Sequence, residues 1–141
     1  MRSYSSLHWQ FTAADGRIKF CGFFHNDQVG EILSDLDVLV VPSLWYENSP
    51  VVIYEAQAAR CPVIATNLEG ISEVIEHEVN GLLFEKGDVK GLAEAIRRLA
   101  ENRNLLVKLA SNAKRPKSII ENVLELESYY QEILNKKQIE V

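Results

Sequence analysis

The chain has 141 residues, of which 47% are hydrophobic and 25% are charged, and its formal net charge is −5. These values are ordinary for a single globular domain with a buried core. The negative charge argues against a nucleic-acid-binding protein, which would carry a basic stripe, and we expect no transmembrane segment because no apolar run reaches the required length.

The side chains that most often bind metals are few and scattered. Three histidines, His8, His25 and His77, show no ligand spacing, and we predict no metal site. Cys21 and Cys61 each lie at the edge of a predicted strand in an apolar setting. We therefore expect both cysteines to be reduced and buried, as in a cytoplasmic protein. The N-terminus also lacks the apolar segment of a signal peptide.

The first part of the chain gives the weakest pattern. Residues 1–16 are assigned to an N-terminal segment of uncertain structure. Residues 17–21 alternate like a strand, and Gly22 ends that strand. A helix is predicted over residues 27–36, with Asp27 as its N-cap.

A second strand, a loop and a helix follow. Residues 37–41 form an apolar run of strand length, which Pro42 stops. Ser49 is predicted to be the N-cap of the next helix and Pro50 its first residue, where the missing proline N–H costs nothing. Residues 51–59 continue as a largely apolar helix.

A strand that leads into a helix N-terminus makes a favourable anion site, because free N–H groups and the positive end of the helix dipole face the ligand. Glu47 lies in the loop before that terminus, and Glu55 lies about one and a half turns into the helix. These carboxylates are compatible with a nucleotide-sugar site in which they bind hydroxyls on either side of a diphosphate. They are also compatible with a solvated loop acid and a helix-surface acid, which spacing alone favours.

The remaining chain continues the alternation of strands and helices. The predicted elements are a strand over residues 62–66, a short helix over 71–76, a strand over 81–84, a helix over 89–102 capped by Asp88, and helices over about 104–113 and 117–136. The last helix carries a broad apolar stripe. The stripe either packs on its own domain or lacks a partner here, and it consists of Ile119, Ile120, Val123, Leu126, Tyr130, Ile133 and Leu134.

The alternation predicts an α/β fold: a Rossmann-like parallel sheet with helices on both faces, ending in a long C-terminal helix. Ligands bind such sheets at the carboxyl ends of the strands. The loops over residues 22–26, 43–49 and 67–70 are all predicted to lie at that edge.

Several segments resemble, in order, the C-terminal domain of the family-4 retaining glycosyltransferases, which have the two-domain GT-B architecture. Glu47 and Glu55 are separated by seven residues, and the segments Pro62-Val63-Ile64-Ala65 and Asn80-Gly81-Leu82-Leu83-Phe84 follow, with Ala56, Ala58, Gly70 and Glu73 at matching places. The resemblance implies that residues 17–141 form the nucleotide-sugar-binding domain, the C-terminal half of a GT-B fold. It also implies that the N-terminal acceptor domain is absent.

The resemblance also assigns roles to individual residues. Glu47 resembles the glutamate that binds donor-sugar hydroxyls near the reacting carbon, which makes it the catalytic candidate, and Glu55 resembles the glutamate that binds the ribose. The other expected donor-binding residues are Gly22, Asn48, Ser49, Pro50 and Val51, and residues 22–26 resemble a loop that lies near the nucleotide base in the family. A nucleotide-diphosphate sugar is the implied substrate, with no cofactor and no metal requirement.

The chain departs from the family pattern at several points. Asn48-Ser49 replaces a frequent Gly-Phe, Arg60 stands where glycine is usual, and residues 69–73 match three of the five positions of Gly-Gly-Ile-Pro-Glu. The Arg and Lys that neutralise the diphosphate in the family are not matched by Arg17 or Lys19. We therefore expect no turnover by this chain alone, and an N-terminal domain, a separate subunit or a second copy as its partner.

Three other functions were considered. A non-catalytic half-enzyme that serves as an interaction or partner subunit is the main alternative. A phospho-receiver domain would need an aspartate where the strand ends at Val41 and Pro42, and a GT-B-like sugar-nucleotide epimerase would not explain Glu47 together with Glu55. We expect a cytoplasmic protein, peripheral to a membrane in the full enzyme.

Overall fold

The computed structural model describes residues 15–46, 48 and 50–139, with side chains described up to residue 136. The prediction for the N-terminal segment therefore lies outside the described residues, apart from residues 15 and 16.

The centre of the molecule is a sheet of three parallel strands in the order β1-β2-β3. They are β1 (Leu39–Val41), β2 (Val63–Thr66) and β3 (Gly81–Phe84). In the register, Leu39 is opposite Val63, and Val63 is opposite Gly81. Every residue of the central strand β2 is buried. All three strands run in the same direction, so the loops that follow them lie at one edge of the sheet.

In the described ranges, five α-helices surround or follow this sheet. They are α1 (Val29–Ser34), α2 (Val51–Ala58), α3 (Val89–Glu101), α4 (Arg103–Ser111) and α5 (Ile119–Ile139). The Asp88 side chain accepts a hydrogen bond from the Gly91 N–H and caps α3, as predicted. Helix α5 begins with a capping box, in which the Ser118 N–H donates to Glu121 and the Glu121 N–H donates to Ser118.

The core has two parts because side chains of a strand alternate between the faces of the sheet. On one face, Val63 and Ala65 pack with Leu33 of α1 and with Ile53 and Ala56 of α2. On the other face, Ile64, Leu82 and Phe84 of the strands pack with side chains of the two following helices, namely Ala95, Leu99 and Leu109. The prediction of a Rossmann-like parallel sheet with helices on both faces is confirmed.

Two predicted elements near the start differ from the structure. Residues 17–21 form no strand with the described part of the chain, and Ile18 and Phe20 are 46% and 54% exposed. A strand needs a hydrogen-bonded neighbour, which alternation alone cannot supply. The predicted helix over residues 27–36 is instead a 3-10 turn, Asn26–Gln28, followed by α1. Asp27 lies inside that turn and caps nothing, because Gln28 is the N-cap of α1.

The predicted short helix over residues 71–76 is a series of hydrogen-bonded turns. The Ile71 and Ser72 N–H groups both donate to the Leu68 carbonyl, at 3.1 and 2.9 Å. The Glu76 N–H donates to the Asn80 side chain at 2.7 Å, so it is not available to a helical hydrogen bond. This side-chain contact from outside the segment ends the helical pattern.

The apolar stripe of α5 remains exposed. Its members range from 48% exposed at Val123 to 80% exposed at Ile119. The stripe therefore does not pack on the described part of its own domain.

The outer edge of β3 is covered by the residues that precede it. The Glu78 N–H donates to the Gly81 carbonyl at 2.8 Å. The Leu83 N–H donates to Nδ1 of His77 at 2.9 Å, so the His77 side chain occupies this edge donor of β3.

The two cysteines differ in their exposure to solvent. Cys61 is buried, as predicted, and burial raises the pKa of its thiol. Cys21 is exposed, so the prediction for it is wrong, because the strand expected to bury it does not form.

Across the described ranges, no helix is both long and apolar enough to cross a bilayer.

Candidate functional site

The predicted site loops that follow β1 and β2 lie at the carboxyl edge of the sheet, as parallel topology requires. The loop over residues 22–26 follows no strand in the described part of the chain, so its predicted place at that edge does not follow from the topology. Residues 42–50 connect β1 to α2, and residues 67–70 follow β2. Glu47 and Ser49 lie outside the described residues, so the catalytic role of Glu47 and the capping role of Ser49 stay predictions.

The start of α2 differs by one residue from the expectation. Pro50 is buried and has φ −72° and ψ 99°, an extended conformation, so it is the N-cap and Val51 is the first helical residue. Proline fixes φ but leaves ψ free to turn the chain out of the helix. Pro50 offers no side-chain acceptor for the first N–H groups of the helix, and Val51 is 66% exposed. The helix terminus therefore presents backbone donors and the positive end of its dipole at the surface.

A first cavity, which we call the Glu55 cavity, lies between α1 and α2. Its volume is about 460 Å³. Its lining residues are Asn26, Val29, Gly30, Ser34, Glu55, Ala58 and Ala59. The structure thus brings Glu55 together with Asn26, the last residue of the loop predicted to lie near a nucleotide base.

Gly22, the other predicted residue of that loop, does not line the Glu55 cavity. Its φ is +76°, in the left-handed region that favours glycine. No described atom lies within 4 Å of the place a Cβ would occupy. The backbone conformation explains the glycine, and its role in donor binding stays a prediction.

A second cavity, the Tyr46 cavity, has a volume of about 300 Å³ and is lined by Tyr46, Asn48, Glu69, Gly70 and Glu73. It brings Asn48 of the first loop together with the turn that follows β2. Glu69 and Glu73 both add carboxylates to the wall of this cavity.

Two buried amides hold that turn in place, and sequence reasoning missed both. Gln57 of α2 is 3% exposed and Asn80 is 1% exposed. Both donate to the Val74 carbonyl, at 3.2 and 3.1 Å. The sequence did contain one signal: Gln57 is a polar residue within a largely apolar helix. A buried amide lowers stability unless it is hydrogen-bonded, so such a residue is expected to have a partner.

Helix α2 ends in a Schellman motif despite the arginine at the glycine position. The Cys61 N–H donates to the Ala56 carbonyl at 2.8 Å, and the Arg60 N–H donates to the Gln57 carbonyl at 3.1 Å. Arg60 has φ +56°, so it adopts the left-handed conformation that glycine would adopt more easily. The substitution leaves the end of the helix unchanged.

Curated proteins with similar sequences are glycosyltransferases. The chain is 35% identical over 124 residues to the amylovoran biosynthesis glycosyltransferase AmsK of Erwinia amylovora, covering 79% of this chain and 30% of AmsK. It is 35% identical over 82 residues to an Escherichia coli UDP-Gal:alpha-D-GlcNAc-diphosphoundecaprenol alpha-1,3-galactosyltransferase, covering 58% of this chain and 21% of that enzyme. The chain therefore spans less than a third of the length of these relatives.

Solved structures with the same fold are GT-B glycosyltransferases. Anabaena HepE in complex with UDP-glucose matches with a TM-score of 0.73 and 30% identity, over 92% of this chain and 36% of HepE. The C-terminal domain of the group 1 glycosyltransferase LpcC from Francisella tularensis matches with a TM-score of 0.66 and 28% identity, over 75% of this chain and 54% of that domain's chain. The model of the family "Glycosyl transferases group 1" matches residues 5–116, and the chain belongs to that family.

Proposed function

We propose that this chain is the donor-binding domain of a family-4 retaining glycosyltransferase and binds a nucleotide-diphosphate sugar at the N-terminus of α2. The observation that carries this proposal is the pair of cavities that adjoin α2. One is lined by Glu55 of the helix itself, and the other by Asn48 of the loop that leads into the helix. The complex of HepE with UDP-glucose supports this class of ligand.

The nucleoside occupies the Glu55 cavity in this proposal. The Glu55 carboxylate accepts hydrogen bonds from the ribose hydroxyls, and the loop with Gly22 and Asn26 lies beside the base. The cavity volume of about 460 Å³ is within the range of small-molecule sites.

The diphosphate and the sugar occupy the other side of the helix start. The backbone N–H groups of Asn48, Ser49 and Val51, in a turn that Pro50 helps to shape, face the diphosphate together with the helix dipole. Glu47 binds hydroxyls of the donor sugar, which extends toward the Tyr46 cavity. Transfer with retention then depends on positioning the sugar and stabilising the departing diphosphate, and we propose that it needs neither a metal nor a cofactor.

The chain provides only part of that enzyme in this proposal. Arg17 is held by Asp15 at 2.6 Å and does not take the place of the family cations. The acceptor site and the cations come from an N-terminal GT-B domain or a separate subunit, in a cytoplasmic enzyme peripheral to a membrane. The chain alone binds the donor without turning it over.

Calorimetric titration with UDP, GDP and ADP tests the proposal. We expect one nucleotide to bind and the Glu55→Ala variant to bind it about 10- to 100-fold more weakly, since lost hydrogen bonds to ribose cost about 1–3 kcal/mol. Glu31→Ala is the matched control. It removes the same charge from the exposed face of α1, and Glu31 is not among the residues that line the Glu55 cavity.

Two results would contradict parts of the proposal. Failure of all three nucleotides to bind at millimolar concentration would remove the donor-binding role and favour a non-catalytic partner subunit. Hydrolysis or transfer of a nucleotide sugar by this chain alone would show that no further domain is needed.

A further inference from the structure

The short loop after β3 contacts both of the other loops at the carboxyl edge of the sheet. The Asn67 side chain, after β2, donates to Glu85 at 3.0 Å. The Lys86 Nζ lies 5.6 Å from the centroid of the Tyr46 ring, in the loop after β1. Because β2 separates β1 from β3, the lysine reaches across the end of the middle strand, a span of roughly 10 Å between strand axes.

The backbone presents Lys86 from a tight turn. The Asp88 N–H donates to the Glu85 carbonyl at 2.9 Å, and Gly87 has φ +76°. This is the pattern of a type II turn, in which the third residue needs a positive φ and is usually glycine. Lys86 is the second residue of the turn, so its backbone is fixed close to the ring that it contacts.

The side chains beside Tyr46 in the loop that Lys86 contacts are largely exposed. Leu44, Trp45 and Tyr46 are 55%, 81% and 72% exposed. Within the part of the chain that the structure describes, Lys86 forms no ion pair. The ammonium group is therefore directed to the face of Tyr46, an arrangement that is favourable for a cation and an aromatic ring.

We propose that Lys86 is a positioning residue for donor binding, which acts by holding Tyr46 at the rim of the Tyr46 cavity. Tyr46 lines that cavity and directly precedes Glu47 and Asn48. Fixing its ring restricts the loop that carries the expected sugar-binding residues. This inference rests on the proposed function, in which the donor sugar extends toward the Tyr46 cavity.

The test measures binding of UDP-glucose, or of GDP-glucose or ADP-glucose if the nucleotide titration selects another base. We expect Lys86→Ala to weaken binding about two- to fivefold, the range of an exposed cation–π contact. Lys86→Arg should restore binding, because it keeps a cation, whereas Lys86→Met should not. No change in Lys86→Ala would overturn the proposal.

A double-mutant cycle separates positioning through Tyr46 from direct contact with the ligand. In a Tyr46→Leu background, Lys86→Ala should have no further effect, since the interaction is already lost. An unchanged two- to fivefold loss in that background would show that Lys86 acts on the ligand itself, and the positioning role would be wrong.

The contact between Lys86 and Tyr46 can also be measured without ligand, so it can be tested separately from the proposed function. The ring current of Tyr46 should shift the ε-methylene proton resonances of Lys86 upfield, and Tyr46→Leu should remove the shift. A wild-type chain that shows the shift but binds no nucleotide would contradict the proposed function. A wild-type chain that binds nucleotide but lacks the shift would contradict the role of Lys86.

Discussion

The Glu55 cavity is lined by residues of α2 and the Tyr46 cavity by the loop that leads into α2, and the two have walls of different construction. The Glu55 cavity lies between two helices, and small or short side chains such as Gly30, Ala58 and Ala59 form much of its surface. The Tyr46 cavity lies between two loops, and the segment after β2 that carries one of them is held by single polar contacts of Gln57 and Asn80. One parallel sheet can therefore support a cavity wall formed by packed helices and another cavity wall held by hydrogen bonds of individual side chains.

The largest effect is expected from removal of the Asn80 amide. Asn80→Leu leaves the Glu76 N–H without its part-buried acceptor and removes one of two donors to the Val74 carbonyl. We expect a loss of about 2–3 kcal/mol in the free energy of unfolding, measured in urea, because unsatisfied buried polar groups are costly.

Asn112→Ala is the control. It removes an exposed hydrogen bond to the Val79 carbonyl and should cost about 1 kcal/mol or less. Equal losses in the two variants would contradict this account of the Tyr46 cavity.

A smaller loss is expected from Gln57→Met, which removes the other donor to the same carbonyl. The Val74 carbonyl keeps the hydrogen bond from Asn80, and methionine fills a similar volume. The unfolding free energy should fall by about 1 kcal/mol. Amide hydrogen exchange should increase in residues 68–76 and stay unchanged in β3 and α3. Uniform acceleration across the domain would indicate general destabilisation rather than a loosened turn.

The smallest effect should be a gain, and it concerns the other cavity. Gly30 lies within α1, has no positive φ, and has no neighbour within 4 Å of the place of a Cβ, as far as the described atoms show. Gly30→Ala should raise the unfolding free energy by about 0.5–1 kcal/mol, because glycine is unfavourable inside a helix. The wide Glu55 cavity should still accept a nucleotide, with affinity within about threefold of the wild type.

Gly91→Ala is the matched control for that gain. Gly91 also lies in a helix, but a Cβ there would collide with the Asp88 carboxylate that caps α3. The control should therefore lose stability. If Gly30→Ala also lowered the unfolding free energy, the helical wall of the Glu55 cavity would be as sensitive to substitution as the loop wall of the Tyr46 cavity.

The features that could be predicted from the sequence are those determined by nearby residues. The runs that contain β1, β2 and β3 follow from apolar patterning. The cap at Asp88 follows from a side chain that lies three residues from its partner. Topology then placed the loops with Asn48 and Glu69 at one edge. Glu55 and Asn26 were expected to lie on the nucleoside side, and one cavity contains both.

Most of the errors away from the helix starts involve partners distant in the sequence or absent from the local pattern. Residues 17–21 alternate like a strand but form none in the described part of the chain. Residues 71–76 look helical until Asn80 takes one of their N–H groups. Gln57 donates to a carbonyl 17 residues away, and Lys86 lies against a ring in the loop after β1. Periodicity carries no information about such contacts, so the details of the Tyr46 cavity required the structure.

The covered edge of β3 has a consequence for how the chain can associate. With the Gly81 carbonyl and the Leu83 N–H already bonded to residues 77 and 78, a strand from another molecule finds no ladder to extend there. Contacts through the exposed α5 stripe would instead be between side chains. Association through that stripe would therefore leave the sheet at β3 unextended.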